Sequence, residues 1–346
     1  MPQTMPQTKP VTEDVLRGVA ALRAQVALRV VGQTEVVEEV LLCLLAGGHG
    51  LLEGPPGLAK TLLVRTLAQG MDLEFRRIQF TPDLMPGDVT GTEVIEEDRT
   101  TGRRAFRFLP GPVFTQILLA DEINRAPPKT QAALLEAMQE GHVTAAGETR
   151  PLPAPFFVLA TQNPIEQEGT YPLPEAQLDR FLLKIRVPYP EPGEEREILA
   201  ATTGGPGEAI QPVLDAPRIA TLREAVRTIP ASEEILDYAV RLVRGTRPGE
   251  EGEVAEITQW LRWGAGPRAG QAMILAGKAR ALLRGRFHVT PEDVQAVTPA
   301  VLRHRIHPGF RAEAEGMGEE ALIRRLLEVV PSPRSGRASP SGSGVG

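Results

Sequence analysis

The sequence predicts an α/β protein in which a parallel β-sheet, covered by helices on both faces, precedes a separate helical domain. Up to Pro190, continuous apolar runs such as ILLADE at 117–122 alternate with stretches of helical spacing. Strands of a parallel sheet are buried on both faces, so they are apolar along their whole length. After Pro190 no further strong strand pattern occurs, and helical spacing recurs at 191–203, 216–228, 232–244, 268–284 and 291–304.

The elements of the first part follow in the order that this fold requires. Capping residues, proline starts and glycine stops predict helices at 12–30, between Gln33 and Gly47, at 61–70 and at 126–141. Apolar or alternating runs predict strands in HGLLEG, at 74–80, 117–122 and 155–164, and in LLKIRVPYP, with a short helix in PEAQLDRF. The stretches 92–108 and HVTAAGETRPL are typical of β-hairpins, because two β-rich arms flank a polar turn.

Three segments are expected along the chain. Residues 1–190 would form the sheet core with its N-terminal helix, residues 191–330 the helical domain, and residues 331–346 a disordered tail. A chain of 346 residues is long enough for two domains with their own cores. The tail PSPRSGRASPSGSGVG has almost no apolar residues and cannot build a core.

Charge and composition limit the classes of function. The net charge of −6 counts against a dedicated nucleic-acid binder, whose surface is usually basic. The longest apolar runs, such as VLLCLLA at 40–46, are far too short for a membrane span. The opening MPQTMPQTKP lacks the apolar core of a signal peptide, and the single cysteine, Cys43, suits a reducing compartment. We therefore expect a cytoplasmic protein without a membrane span.

A candidate phosphate-binding loop lies at residues 54–61, GPPGLAKT. It matches the pattern G-x-x-x-x-G-K-[ST] at Gly54, Lys60 and Thr61, but Ala59 occupies the position of the second glycine. Amides at the start of helix 61–70 would hold phosphate oxygens, Lys60 would reach the β- and γ-phosphates, and Thr61 would ligate Mg²⁺. We expect Gly57 to take a positive φ and Ala59 to keep a negative φ. The alternative is a glycine-rich turn that merely ends in a lysine.

Further candidate groups follow apolar strands. Asp121 and Glu122 end the strand of ILLADEIN, at the edge where open α/β sheets bind ligands. Asp121 would hold Mg²⁺, directly or through water, and Glu122 would polarise the attacking water. The alternative is a pair of solvated acids that cap the next helix. Asn163 in VLATQNP would contact the γ-phosphate or the attacking water, unless it only forms an Asx-turn before Pro164.

Two arginines are candidates for stabilising charge in the transition state. Arg180 in QLDRF would act on ATP bound by a neighbouring subunit, and Arg268 in GAGPRAG would connect the helical domain to the phosphates. For each, an ordinary ion pair is the alternative. Whether Arg180 or Arg125 acts on the neighbour is left open.

In this order, GPPGLAKT, ILLADEINRAPPKTQAALLEAMQE, VLATQNP, TYPLPEAQLDRF and GAGPRAG resemble the AAA+ ATPases of the MoxR family. The resemblance covers most of residues 25–305. It implies a P-loop NTPase core of αβα layers with a parallel sheet, β-hairpin inserts and a small all-α lid domain. It also implies sensor roles for Asn163 and Arg268, a contact of Gln79 with Glu122, and a ring, usually of six subunits, in which Arg180 acts in trans.

The predicted site follows from the motifs and the resemblance together, with ATP and Mg²⁺ as cofactors. The nucleotide would be bound by Gly54, Gly57, Leu58, Ala59, Lys60, Thr61, Val31 and Gly32, the metal by Thr61 and Asp121, and catalysis would involve Glu122, Asn163, Arg180 and Arg268.

The resemblance also implies a task for hydrolysis. In such proteins it drives chaperone-like remodelling of a protein client, together with partners that carry von Willebrand factor A domains, often to mature metalloenzymes. No such domain is expected within this chain, so the partner would be a separate polypeptide. The alternatives are a nucleic-acid motor or loader on the same core, and a scaffold that binds nucleotide but hydrolyses little. Trp260 and Trp263 are expected in the core of the lid, with an exposed contact to a partner as the alternative.

Overall fold

The structure is a computed structural model that describes residues 9–97, 104–145, 147–164, 169–205 and 208–333. The chain is divided into two compact units, Met1–Thr228 and Ile229–Gly346. The disorder predicted for the tail concerns mainly residues 334–346, which lie outside the described residues. Within the described part of the chain, no helix combines the length and apolarity that a bilayer crossing requires.

The first unit alternates helices with strands, as the sequence predicts. Its helices are α1 (Lys9–Ala27), α2 (Thr34–Ala46), α3 (Lys60–Gly70), α4 (Pro86–Thr90), α5 (Pro128–Glu140), α6 (Glu175–Leu178), α7 (Pro192–Thr203) and α8 (Ala216–Thr228). Its strands are β1 (Gly50–Glu53), β2 (Phe75–Gln79), β3 (Gly91–Glu97), β4 (Arg104–Pro110), β5 (Ile117–Asp121), β6 (His142–Ala145), β7 (Glu148–Pro151), β8 (Phe157–Gln162) and β9 (Leu183–Arg186).

A five-stranded parallel sheet with the order β2-β5-β8-β1-β9 forms the centre of this unit. The central strands are buried along nearly their whole length, which explains their apolar sequences. Gln79 pairs with Asp121 at the end of β2 and β5, so the carboxyl ends of neighbouring strands meet at one edge of the sheet. The predicted fold class is confirmed.

Both predicted hairpins are present. Strands β3 and β4 pair antiparallel from Gly91 with Pro110 to Glu97 with Arg104, and β6 pairs antiparallel with β7. The turn of the first hairpin, at 98–103, lies outside the described residues.

A buried histidine joins three elements of the first unit. His49 precedes β1, its Nε2 lies 3.0 Å from the carbonyl oxygen of Met138 in α5, and its Nδ1 accepts a hydrogen bond from the amide of Val158 in β8. Burial lowers the pKa of His49 to about 4. The imidazole is therefore neutral at physiological pH, with Nδ1 as acceptor and Nε2 as donor.

Helices α7 and α8 belong to the first unit, although the sequence placed 191–330 in the helical domain. Helix α8 buries Ile219, Leu222 and Val226. From the same helix, Arg223 donates through Nε to the carbonyl oxygen of Leu44, near the end of α2, at 2.8 Å. Helical spacing shows that a helix has an apolar face, but it does not show which core that face contacts.

The second unit is mainly helical. It contains α9 (Glu233–Arg244), α10 (Ala255–Thr258), β10 (Leu261–Trp263), α11 (Pro267–Leu283), α12 (Pro291–Leu302), β11 (His307–Pro308), α13 (Phe310–Ala314) and α14 (Glu319–Val329). The sequence analysis did not predict α14 or the β10–β11 ladder, whose strands are too short to show a two-residue period. The expectation that Trp263 is buried was wrong, since this side chain is 65% exposed.

An ion cluster joins α11 to α12 within the second unit. The fully buried Asp293 accepts hydrogen bonds from both Nη atoms of Arg286, each at 2.6 Å, and from Nη1 of Arg280 at 2.7 Å. The backbone N–H of Thr290 donates to the same carboxylate at 3.0 Å, which caps α12. Burial alone would raise the pKa of Asp293, but these hydrogen bonds hold it below its usual value.

Candidate functional site

A cleft of about 430 Å³ lies between the candidate phosphate-binding loop and the carboxyl ends of the sheet strands. We call it the phosphate cleft. Its lining consists of residues 56–62 together with Arg77, Asp121, Glu122, Thr161 and Asn163. The fold therefore brings together the predicted loop residues from Gly57 to Thr61, both predicted carboxylates and the predicted asparagine, whereas Gly54 is not part of the lining. Most of these groups come from rigid strand ends or from the start of α3.

The backbone of the loop differs from the expectation at one position. Gly57 has φ +83°, as predicted, but Ala59 has φ +53°, so the prediction of a negative φ was wrong. Ala59 is the N-cap of α3, and its carbonyl oxygen accepts the helical hydrogen bond from Leu63 at 2.9 Å. The second glycine of the general pattern thus stands where the chain takes a left-handed conformation, which costs an alanine about 1–2 kcal/mol.

Gly54 is fixed by close packing. A Cβ atom at this position would lie 2.6 Å from the carbonyl oxygen of Val187, closer than real atoms approach. The amide of Val187 continues the hydrogen bonding of β9 with β1 by donating to Glu53 at 2.8 Å. The loop therefore leaves the sheet at a point where no side chain fits.

Lys60 is half-buried and contacts its own loop. Its Nζ donates to the carbonyl oxygen of Gly54 at 2.6 Å and to that of Pro55 at 3.3 Å. Burial lowers the pKa of Lys60, while the negative charges of Asp121 and Glu122 oppose this shift. The ammonium group is thus close enough to both carboxylates to belong to one electrostatic cluster.

Asp121 is held on both carboxylate oxygens. Its Oδ2 accepts hydrogen bonds from Nη2 of Arg77 at 2.6 Å and from Nε of the same residue at 3.0 Å. Its Oδ1 accepts from the hydroxyl of Thr161 at 2.6 Å. The Thr161 oxygen accepts in turn from the backbone amide of Glu122 at 2.8 Å. One threonine therefore orients both members of the Asp121-Glu122 pair.

Glu122 has φ +54° and is held by two further side chains. Its Oε2 accepts from Nε2 of Gln79 at 2.7 Å, which confirms the predicted contact, and from Nη1 of Arg125 at 2.9 Å. Nη2 of Arg77 donates to Oε1 of Gln79 at 2.6 Å. The two carboxylates are thereby linked through Arg77 and Gln79.

Arg77 and Thr161 were not among the site residues predicted from the sequence. Thr161 lies within the quoted stretch VLATQNP, two positions before Asn163, and Arg77 lies two positions before Gln79 on β2. Residues two apart on a strand share a face, so the spacing places Arg77 on the face of Gln79, but the contacts of Arg77 and Thr161 with Asp121 depend on which strands are neighbours.

A second cavity of about 450 Å³, here called the base cavity, lies beside the same loop. Its lining is mainly apolar and includes Val30, Val31, Leu58, Leu62, Tyr189 and Ile198. Among the described residues, Oε1 of Gln33 is buried without a hydrogen-bond partner, whereas Nε2 of Gln33 donates to the carbonyl oxygen of Leu58 at 3.1 Å. An apolar slot with one unused acceptor fits an adenine ring and its amino group.

The predicted contact residue Gly32 lies next to Val31 in the chain. It has φ +68°, and a Cβ atom there would lie 2.5 Å from the carboxylate carbon of Glu194 in α7. The left-handed φ favours glycine here, whereas the flexible carboxylate of Glu194 could move away from a side chain.

The two remaining predicted arginines lie elsewhere. Arg180 follows α6, is half-buried, and is not among the described residues that line the phosphate cleft. Arg268 lies in the first turn of α11, in the second unit. Their roles stay predictions.

A family of ATPases matches both units. Residues 49–183 match the model of the ATPase family associated with various cellular activities (AAA), and residues 256–326 match the AAA lid domain. The chain is 47% identical over 316 residues to Chaperone MoxR1 of Mycobacterium tuberculosis, with 91% of this chain and 82% of that protein covered. It is 33% identical over 332 residues to Protein MoxR of Methylorubrum extorquens, with 91% and 95% covered.

A solved structure agrees with this match. The crystal structure of an ATPase from Cytophaga hutchinsonii is 41% identical in sequence and superposes with a TM-score of 0.86, over 94% of this chain and 97% of that one.

Proposed function

Because this chain belongs to the MoxR family of AAA+ ATPases, we propose that it uses the hydrolysis of Mg²⁺–ATP to remodel a protein client. The observation that carries the proposal is the phosphate cleft, where the loop at the start of α3 faces Asp121 and Glu122 at the end of β5. Phosphoryl transfer depends mainly on positioning and on neutralising charge, and the cleft offers groups for both.

The triphosphate would lie against the start of α3. Amides from Gly57 to Thr61 would donate to phosphate oxygens, and the helix dipole favours negative charge there. Lys60 already contacts the carbonyl oxygen of Gly54, so a modest rotation of its flexible side chain would bring Nζ to the phosphates. In the base cavity, Oε1 of Gln33 would accept a hydrogen bond from the adenine amino group.

The donor set suits magnesium. Among the described residues there is no group of three or more His, Cys, Asp or Glu side chains that could hold a metal by itself. Mg²⁺ is usually bound by one or two carboxylates together with substrate phosphates and water. Asp121 and the hydroxyl of Thr61 would therefore hold it jointly with the phosphates. When bound, it would neutralise the negative charge that develops on the phosphoryl group.

Glu122 would position the attacking water. Gln79 and Arg125 both donate to Oε2, so we assign Oε1 to the water. Asn163, buried at the edge of the cleft, would contact the γ-phosphate or the same water.

A ring and a partner complete the proposal. By the family resemblance, Arg180 would act on ATP bound by a neighbouring subunit in a ring of six. The similarity to Chaperone MoxR1 supports the remodelling of protein clients. By the family resemblance, the client would be a metalloenzyme complex, and a separate protein with a von Willebrand factor A domain would assist.

The experiment uses Glu122→Gln with Glu136→Gln as its control, because Glu136 is an exposed glutamate on α5. Glu122→Gln should bind ATP with unchanged affinity but lose turnover about 10²-fold or more. In the presence of ATP, Glu122→Gln should also retain client proteins, which should dissociate when ADP replaces ATP. Glu136→Gln should behave like the wild type. If Glu122→Gln hydrolyses ATP at the rate of the wild type, Glu122 does not position the water. If neither the wild type nor Glu122→Gln retains a protein partner in the presence of ATP, the remodelling proposal is wrong.

A further inference from the structure

Arg77 is a cation built into the candidate metal site. It lies on β2, the edge strand of the sheet, and its side chain shares a face with Gln79. Two of its nitrogens donate to the same oxygen, Oδ2 of Asp121, at 2.6 and 3.0 Å. The Asp121 side chain is only 14% exposed, whereas that of Arg77 is 44% exposed. The guanidinium therefore approaches a nearly buried carboxylate from the open side of the cleft.

The other oxygen of Asp121 is also used. Oδ1 accepts from the Thr161 hydroxyl at 2.6 Å, and this hydroxyl is fixed because its oxygen accepts the amide of Glu122. Oδ1 keeps one acceptor site, whereas both sites of Oδ2 are filled by Arg77. A metal ion bound to Asp121 would therefore replace Arg77 on Oδ2 or lie on Oδ1 beside its guanidinium.

A divalent cation on Oδ2 would lie within a few ångströms of the guanidinium. Two positive charges at that distance repel each other, and the two donors of Arg77 already occupy the lone pairs of this oxygen. The two cations cannot share Oδ2 at full strength, so binding of one must weaken binding of the other.

The same guanidinium also reaches the second carboxylate indirectly. Nη2 of Arg77 donates to Oε1 of Gln79, and Nε2 of Gln79 donates to Oε2 of Glu122. Arg77 and Gln79 therefore form a hydrogen-bonded chain from Asp121 to Glu122.

We propose that Arg77 competes with Mg²⁺ for Asp121, so that its guanidinium sets the metal affinity of the phosphate cleft. This inference rests on the metal site proposed above. It explains why a surface arginine on an edge strand points along the strand into the cleft, whereas its neighbour Arg76 pairs with Glu74 at 2.9 Å.

The test measures metal binding directly. Mn²⁺, a paramagnetic substitute for Mg²⁺, is titrated into the full chain saturated with ADP, and free Mn²⁺ is followed by electron paramagnetic resonance. Arg77→Met keeps the apolar stem and removes the charge. We expect its Mn²⁺ dissociation constant to fall about fivefold, because a partly exposed ion pair is worth up to about that factor. Arg76→Met is the matched control, since Arg76 is 42% exposed, and we expect less than a twofold change.

A second measurement separates competition from loss of structure. In EDTA, ADP binding to Arg77→Met should weaken, because the unbalanced charge of Asp121 repels the phosphates. A disordered site would weaken both the Mn²⁺ and the ADP affinity, whereas competition predicts opposite signs. Arg77→Lys, which keeps one charge but loses the paired donors, should give an intermediate Mn²⁺ affinity and serves if the methionine variant does not fold.

Unchanged or weaker Mn²⁺ binding in both Arg77 variants would overturn the inference while leaving the metal site intact. If the wild type with ADP binds no Mn²⁺, or if Asp121→Asn binds it as tightly as the wild type does, the proposed metal site itself is wrong and the inference fails with it.

Discussion

Replacing Ala59 by glycine should stabilise the first unit, although glycine usually destabilises a folded chain. Ala59 has φ +53° at the N-cap of α3, and a left-handed conformation costs an alanine about 1–2 kcal/mol. Its methyl group is exposed, so removing it loses little buried area. Glycine also raises the conformational entropy of the unfolded chain, which lowers the free energy of unfolding by about 0.4–1 kcal/mol. With the middle of each range, the net gain in the free energy of unfolding is therefore about 0.8 kcal/mol.

The assay is differential scanning calorimetry of the full chain, with the transition of the first unit followed separately from that of the second. A gain of this size should raise Tm by about 1–4 °C for a unit of roughly 200 residues. Ala132→Gly is the control, because Ala132 is an exposed residue inside α5 and should lose about 1 kcal/mol. If Ala59→Gly lowers Tm as the control does, Ala59 does not carry the strain that its φ angle implies.

Three other changes test separate parts of the structure. Burial holds the pKa of His49 near 4 in the folded chain, against 6.5 in the unfolded chain. The contribution of His49 to the free energy of unfolding is therefore complete above pH 6.5, and it falls by about 3 kcal/mol as the pH drops to 4. Urea unfolding between these pH values should show a flatter pH dependence in His49→Gln, and an unchanged slope would contradict the assignment. Asp293→Asn should lower the free energy of unfolding of the second unit by about 3 kcal/mol, because it leaves Arg280 and Arg286 without their carboxylate. Thermal unfolding measures this loss, and a loss below about 1 kcal/mol would refute the prediction. Arg180→Ala should bind ATP normally but stop turnover in intact rings, so full turnover would show that another group acts in trans.

The sequence predicted the order of elements because each strand of a parallel sheet carries its own signal. The apolar run that makes β5 a buried strand also ends at Asp121, and the same holds for β8 before Asn163. Since the carboxyl ends of parallel strands meet at one edge, the motifs, together with the family resemblance, predicted that these groups lie together. The structure brings them together around the phosphate-binding loop.

Other features depend on pairing that the sequence does not encode locally. Arg77 contacts Asp121 only because β2 and β5 are neighbours in register, and Thr161 reaches Asp121 only because β8 lies on the other side of β5. The φ angle of Ala59 depends on how the loop joins α3, and an alanine in the pattern suggested the opposite sign. The assignment of α8 required its buried contacts, because an apolar helix face fits any core.

The most direct test of the central claim is calorimetric titration of the folded chain with ADP and Mg²⁺. The wild type should bind, Lys60→Ala should lose binding at least about 100-fold, and Lys129→Ala, an exposed lysine on α5, should bind as the wild type does. The absence of heat from the folded wild type, or equal affinity in Lys60→Ala, would contradict the assignment of the phosphate cleft.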